Sequence, residues 1–222
     1  MENSAIVVLS GGQDSATCLA FACERYSEIH TITFDYNQRH LREIQCATIL
    51  SEKANAISHR LIPISSLQLM ETKSALLNVD ADINAAHPND PNLPATFVPG
   101  RNMMFLSLAC IHAYSLRSHT VYTGVCQTDY SGYPDCREEF VQAMAATASL
   151  AMDWPIDIIT PLMHLDKMET VLLMQSLNKL DWYAHTHTCY RGSKVPCGEC
   201  PACKLRAKGF QKAKIPDPLL EA

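Results

Sequence analysis

The stretch Ala5-Ile6-Val7-Val8-Leu9-Ser10-Gly11-Gly12-Gln13-Asp14-Ser15 decides how this chain is read. Five apolar residues form a short strand, two glycines break it, and a helical pattern begins at once. Strand, glycine turn and helix in that order aim successive backbone N–H groups and the positive end of a helix at one point, where an anion can sit. Ser10 and Ser15 can add hydroxyl donors, and Asp14, poorly suited to touch phosphate, can hold a magnesium ion between phosphate oxygens. The plainer alternative is that Asp14 or Ser15 only caps the helix.

Working outward, residues 29–34 form a second β-branched run, and residues 60–64, 120–124 and 156–159 are candidate further strands, the first of these despite Pro63. Helical periodicity covers residues 102–116, 137–151 and 165–178. Alternation of this kind predicts an α/β fold, a doubly wound and mostly parallel sheet with helices on both faces. Residues 72–99 are rich in proline, asparagine and aspartate, and are expected to form a long surface excursion over a site. Phe105, Leu108 and Ile111 share one helical face and are expected in the core.

The chain has 222 residues, 47% of them hydrophobic and 18% charged, enough for one substantial core. Its formal charge of −5 lacks the basic excess that displaces counterions from nucleic acid or anionic membrane, so a small-molecule substrate is expected. The first residues have no basic segment or cleavage site of a signal peptide, which predicts a cytoplasmic protein. The most apolar run, residues 103–116, is shorter than the roughly 20 residues that span a bilayer.

Ten cysteines in a reducing compartment do not imply disulfides. Four of them, Cys189, Cys197, Cys200 and Cys203, form a CxxCxxC run with a fourth thiol eight positions upstream, and Gly192, Pro196 and Gly198 supply turns. Four thiolates make a closed tetrahedral zinc site whose role is structural; an iron–sulfur cluster is the competing occupant. The chain therefore divides into residues 1–184, the sheet domain, and residues 185–222, a zinc-binding tail packed on it.

A Walker A loop would need a second glycine followed by lysine, and the first lysine here is Lys53, so ordinary γ-phosphoryl transfer is disfavoured. The SGGxDS string at residues 10–15 instead resembles the signature of the N-type ATP pyrophosphatases, with an adenine nucleotide alpha hydrolase-like sheet, which transfer AMP to an acceptor. Leu9, Ser10, Gly11, Gly12, Gln13, Asp14, Ser15, Ala16, Thr17, Cys18 and Leu19 then frame the ATP.

Three loops that follow strands mix glycine, aromatics and charge: residues 34–40, residues 97–102 (Phe97-Val98-Pro99-Gly100-Arg101-Asn102) and residues 124–137. With Thr160-Pro161-Leu162, Asp166-Lys167 and the cysteine tail they resemble the 7-cyano-7-deazaguanine synthase family over residues 5–210. The resemblance implies that ATP adenylates 7-carboxy-7-deazaguanine, that ammonia gives an amide, and that a second activation dehydrates the amide to the nitrile. It also implies magnesium with ATP, one zinc ion and a homodimer. Free ammonium is the expected nitrogen source, because a chain of this length leaves no room for a glutaminase domain.

By physical fit, Phe97, Tyr130 and Tyr133 offer faces for the deazaguanine, and Asp129 and Asp135 can accept from its N–H donors. Arg101, Arg137 and Lys167 can neutralise the substrate carboxylate or the departing phosphates, and together with Asp14 they are the candidate catalytic set. Arg39 and His40 can approach the ATP phosphates. Asn37 stands where the family commonly carries glycine, and asparagine tolerates the positive φ such a turn needs. Two other readings are a tRNA-thiolating pyrophosphatase, with Cys126 and Cys136 as its cysteine pair, and a non-catalytic ATP sensor with a zinc knuckle. The acidic balance argues against the first, and turnover to AMP separates the second.

Overall fold

The computed structural model describes residues 3–37, 42–64, 73–78, 81–128, 132–193 and 195–221. The opening stretch forms β1 (Ser4–Val8), the turn, and α1 (Gln13–Cys23). β2 (Glu28–Asp35), α2 (Arg42–Lys53) and β3 (Ser58–Pro63) follow. A small hairpin, β4 (Ala86–His87) and β5 (Asp90–Pro94), precedes α3 (Arg101–Ser115), β6 (Thr120–Tyr122), α4 (Glu138–Met152), β7 (Asp157–Ile159) and α5 (Lys167–Ser176). The chain then runs through α6 (Pro201–Ala213) to α7 (Pro218–Glu221).

Among the described residues five strands build one sheet in the order β3-β2-β1-β6-β7, every pair parallel. The chain winds outward from β1 to β3, then returns to β1's other side with β6. The crevice where the winding reverses lies at the C-terminal ends of β1 and β6, the place where doubly wound sheets bind ligands. The glycine turn after β1 stands there because the sequence puts it directly after the central strand.

Alternation along β1 explains why both faces are covered. Ile6 joins Ile32, Val121, Leu106 and Met144 in a core shared with α3 and α4, whereas Ala5 and Val7 join Leu19, Leu50, Val171 and Met174 under α1, α2 and α5. Pro63 is tolerated because β3 is an edge strand whose residue-by-residue burial is incomplete.

Two expectations are corrected in detail. Ile111 is 56% exposed rather than core; Phe105 does pack inward, stacked on Phe34 with centroids 4.3 Å apart, and Leu108 is partly buried. Helical phase explains the split, since three residues advance 300° and six advance 600°, so Ile111 rotates off the stripe that Phe105 occupies. The excursion of residues 72–99 is also less peripheral than its composition suggests: Ala75, Ile83 and Ala95 are buried in one cluster with Cys189, Cys200 and Cys203. No described helix is long and apolar enough to cross a membrane.

Candidate active site and metal centre

At the turn, Gly11 has φ +84°, and a Cβ there would stand 2.1 Å from the Glu43 carbonyl oxygen of α2. Only glycine permits both the left-handed backbone and this approach. Ser10 and Ser15 hold the turn from inside: their hydroxyls are 3.1 Å apart, the Gly12 N–H donates to Ser10 Oγ, and Ser15 Oγ donates to the Gly12 carbonyl. Gly12 is the N-cap of α1, and no side chain caps the helix. Its first N–H groups therefore keep their capacity for an anion, which disposes of Asp14 or Ser15 as a mere cap. Ser10, Gly12 and Asp14 reach the surface, while Leu9, Gln13, Ala16, Thr17, Cys18 and Leu19 are fully buried and support the turn from beneath.

Asp14 faces Lys167, whose Nζ lies 2.7 Å from each carboxylate oxygen. Lys167 is the first residue of α5, set there by a capping box in which Asp166 accepts from the Glu169 N–H and Glu169 accepts from the Asp166 N–H. Cys18 lies below the pair; burial, and then the Asp14 charge, push its thiol well up, so it stays protonated.

A second group of side chains gathers where β2 ends and α3 begins. The Arg101 guanidinium carbon is 5.9 Å from the ring centroids of both Tyr36 and Tyr133, and Nη1 donates to Tyr36 Oη at 3.5 Å. Burial opposes the Arg101 charge, but Tyr36, Tyr133, Asp135 and Tyr190 hold it above the ordinary guanidinium range. Tyr133 hydrogen-bonds Thr96 at 2.5 Å and stacks on Phe97 with centroids 6.0 Å apart. Asp135 is buried and accepts from the Asn102 N–H at 3.1 Å, so one of its oxygens anchors the first turn of α3. Arg137 is exposed and serves as the N-cap of α4.

Phe97, Arg101, Tyr133 and Asp135 are thus brought together, as are Asp14 and Lys167. Arg39, His40, Asp129 and Tyr130 lie outside the described residues. Asn37 adopts φ 55°, the left-handed conformation its position requires, with its N–H on Asp35 Oδ1 at 3.0 Å.

Sequence reasoning missed Glu43 and Tyr190. Glu43 links the two groups: its carbonyl lies against Gly11, and its carboxyl is raised to about 8 by burial, against the pull of Arg101. Tyr190 lies beside Cys189, and burial together with the neighbouring Tyr133 raises its hydroxyl well above the ordinary range. Neither carries a sequence signal, because a glutamate early in a helix and an aromatic after a cysteine have many commoner explanations.

The four cysteines converge as expected, with their sulfur atoms all within 4.8 Å of one another and Cys197 Sγ 4.0 Å from Cys203 Sγ. Zinc–sulfur bonds of about 2.3 Å place tetrahedral sulfurs about 3.8 Å apart, so the donor set fits a closed metal site. Burial would raise the Cys197 thiol, yet the N–H groups of Cys200 and Glu199 bring it down to about 7, which favours the thiolate a metal needs. Cys200 is the N-cap of α6 and accepts from the Cys203 N–H, so the knuckle starts the helix that packs on α5. Cys126 is buried, and burial followed by the Asp135 charge raises Cys136 to about 12, so neither is poised as a nucleophile.

The model of the family described as queuosine biosynthesis protein QueC matches residues 4–214. The chain is 45% identical over 222 residues to the 7-cyano-7-deazaguanine synthase of Chromobacterium violaceum, covering 99% of this chain and 94% of that protein. It is 48% identical over 216 residues to the 7-cyano-7-deazaguanine synthase of Bacillus subtilis, covering 96% of each. A solved 4-thiouridine synthetase–RNA complex with bound ATP shares the fold at TM-score 0.54 and 17% identity, covering 96% of this chain and 50% of that one. With a family model spanning nearly the whole length and two such relatives, this chain belongs to the QueC family of queuosine biosynthesis proteins.

Proposed function

We propose that this enzyme converts 7-carboxy-7-deazaguanine and ammonia to 7-cyano-7-deazaguanine, using two molecules of ATP. The substrate carboxylate attacks the α-phosphorus and pyrophosphate leaves; ammonia then attacks the acyl carbon and AMP leaves with an amide. The amide oxygen is adenylated in turn, and loss of AMP with the amide protons gives the nitrile. Each adenylation converts a poor leaving oxygen into a good one.

The observation that carries this reading is the uncapped start of α1 beside the Asp14–Lys167 pair, at the point where the sheet reverses its winding. Residues 9–19 frame the ATP, and Lys167 balances charge that develops on the departing pyrophosphate. Magnesium accompanying ATP draws on Asp14. Arg101 receives the substrate carboxylate between Tyr36 and Tyr133, with Phe97 extending the aromatic wall and Asp135 fixing the helix that bears Arg101. Arg137, Arg39, His40, Asp129 and Tyr130 complete the proposed ligand set.

Residues 185–222 serve as a tail on the sheet domain, with one structural zinc ion held by Cys189, Cys197, Cys200 and Cys203. Elemental analysis with a visible spectrum separates zinc, which is colourless, from a brown iron–sulfur cluster. We place the enzyme in the cytoplasm as a homodimer that takes free ammonium and binds neither nucleic acid nor membrane. Exposed Met103, Ile111 and Tyr114 on α3 support the dimer.

The test is incubation with ATP, magnesium, ammonium and 7-carboxy-7-deazaguanine, followed by mass spectrometry of nucleotide and base. AMP together with the nitrile is expected. ADP without AMP would overturn the reading of the turn, and AMP without conversion of this base would point to another acceptor.

A further inference from the structure

Arg206 is the most deeply buried cation among the described residues, with a side chain 5% exposed, and the chemistry proposed above does not use it. All five of its N–H donors are engaged. Nε and Nη2 form a fork on Asp217 at 2.6 and 2.8 Å. Nη2 also reaches the Tyr183 carbonyl at 3.2 Å, and Nη1 reaches Thr186 Oγ1 at 2.7 Å and Thr188 Oγ1 at 3.4 Å. A guanidinium has five such donors in one plane, and this one is fully spent: three fix residues 183–188 relative to α6, and two hold Asp217.

That segment is the wall of the glycine turn. The His187 N–H donates to the Gly11 carbonyl at 2.9 Å, and Tyr183 Oη shares a hydrogen bond with Thr17 Oγ1 at 2.7 Å. The Thr188 methyl lies 3.6 Å from the place a Gly12 side chain would occupy. Three contacts thus press one segment onto Gly11, Gly12 and Thr17, and the same segment hangs on one arginine at three points.

We infer that Arg206, anchored by Asp217, is a positioning residue for ATP: it clamps residues 183–188 against the turn and so sets the direction of the backbone N–H groups that receive the phosphates. Burial alone does not account for the residue, because a buried ion pair contributes little net stability over apolar filling of the same volume. What the planar guanidinium alone supplies is a fixed geometry among a carbonyl, two hydroxyls and a carboxylate. The inference rests on the reading of the turn as the ATP site.

The test measures KM for ATP and for 7-carboxy-7-deazaguanine, with metal content, in Arg206→Lys and Thr186→Val. Lysine keeps the charge and loses the plane of donors, while valine keeps the shape and loses one acceptor. A rise in KM for ATP of about fivefold or more in Arg206→Lys and about threefold in Thr186→Val is expected, one or two hydrogen bonds' worth of preorganisation. KM for the deazaguanine acid and the metal content stay within about twofold of the parent. If Arg206→Lys fails to fold, Thr186→Val decides alone. Unchanged KM for ATP overturns the clamp even where thermal stability falls, since a purely structural role lowers the folded fraction and leaves KM alone. Gly12→Asp separates the two failures, because a carboxylate at the N-cap of α1 takes the same N–H groups and repels phosphate: if it too leaves KM for ATP unchanged, the turn is not the ATP site; if it raises that KM while the other variants do not, only the clamp is wrong.

Discussion

Lys167 Nζ lies 2.7 Å from both carboxylate oxygens of Asp14, across 153 residues of chain. The pair ties the start of α5 to the start of α1, and it stands at the helix end where the proposed pyrophosphate would leave. Because Lys167 is 10% and Asp14 30% exposed, the contact is neither a free surface pair nor a sealed one, and an incoming magnesium or phosphate can compete for either member.

Lys167→Met keeps the length and removes the charge. It is expected to lower kcat for AMP formation by roughly 10²–10³, the usual cost of losing one group aimed at developing charge, with a smaller effect on KM. Asp14→Asn should raise the magnesium concentration needed for half-maximal rate. Steady-state kinetics with magnesium titrated at fixed ATP checks both.

Gly209 of α6 lies against α5 so closely that a Cβ would stand 2.7 Å from the Lys167 Cβ and 2.9 Å from its carbonyl oxygen. Alanine gains about 1 kcal/mol of helix propensity, but the overlap with backbone forces α6 away from α5 at a cost of about 1–3 kcal/mol. Gly209→Ala is therefore expected to destabilise the enzyme and, by shifting Lys167, to lower kcat. Urea denaturation and turnover measured on the same preparation check it.

Removing the proposed zinc with a chelator, or replacing Cys200 by serine, should cost several kcal/mol, on the order of the folding free energy a structural zinc supplies to a small knuckle. Cys200 caps α6, so the loss spreads along that helix to Arg206 and Gly209. A lower thermal midpoint with a matching loss of metal in elemental analysis is the expected result.

Acid should weaken the fold through three histidines. Burial lowers His30, His59 and His112 below the ordinary value of 6.5, opposed by Glu28 and Glu52 at the first two and reinforced by Arg60 and His30 at the third. Above about pH 6.5 all are neutral folded or unfolded. As the pH falls below that, the unfolded chain takes up protons that the folded chain refuses, and stability is lost at up to about 1.4 kcal/mol per pH unit for each histidine. Denaturation midpoints between pH 7.5 and 5 should fall, and His112→Asn should flatten the slope.

Much of this is legible in the sequence. The order of strands and helices follows from local periodicity, the glycine turn from two adjacent glycines after an apolar run, and the metal site from thiol spacing, because each is a property of residues close in sequence. Asn37 at φ 55° is of the same kind, an exception that the residue type itself permits.

Residues distant in sequence were decided by packing alone. That Lys167 meets Asp14, that Glu43 lies under Gly11, that Arg206 holds the wall of the turn, and that Ala75, Ile83 and Ala95 share a cluster with the cysteines could not be read from spacing. The exposure of Ile111 rests on both: its 120° offset from Phe105 is in the helical period, but which of the two faces the sheet is set by packing. Local sequence determined the elements and their turns, since backbone preference and hydrophobic period act over a few residues. The tertiary structure chose which charged and aromatic side chains share the crevice, since that depends on the winding of the sheet about β1 and on helices meeting across its edge.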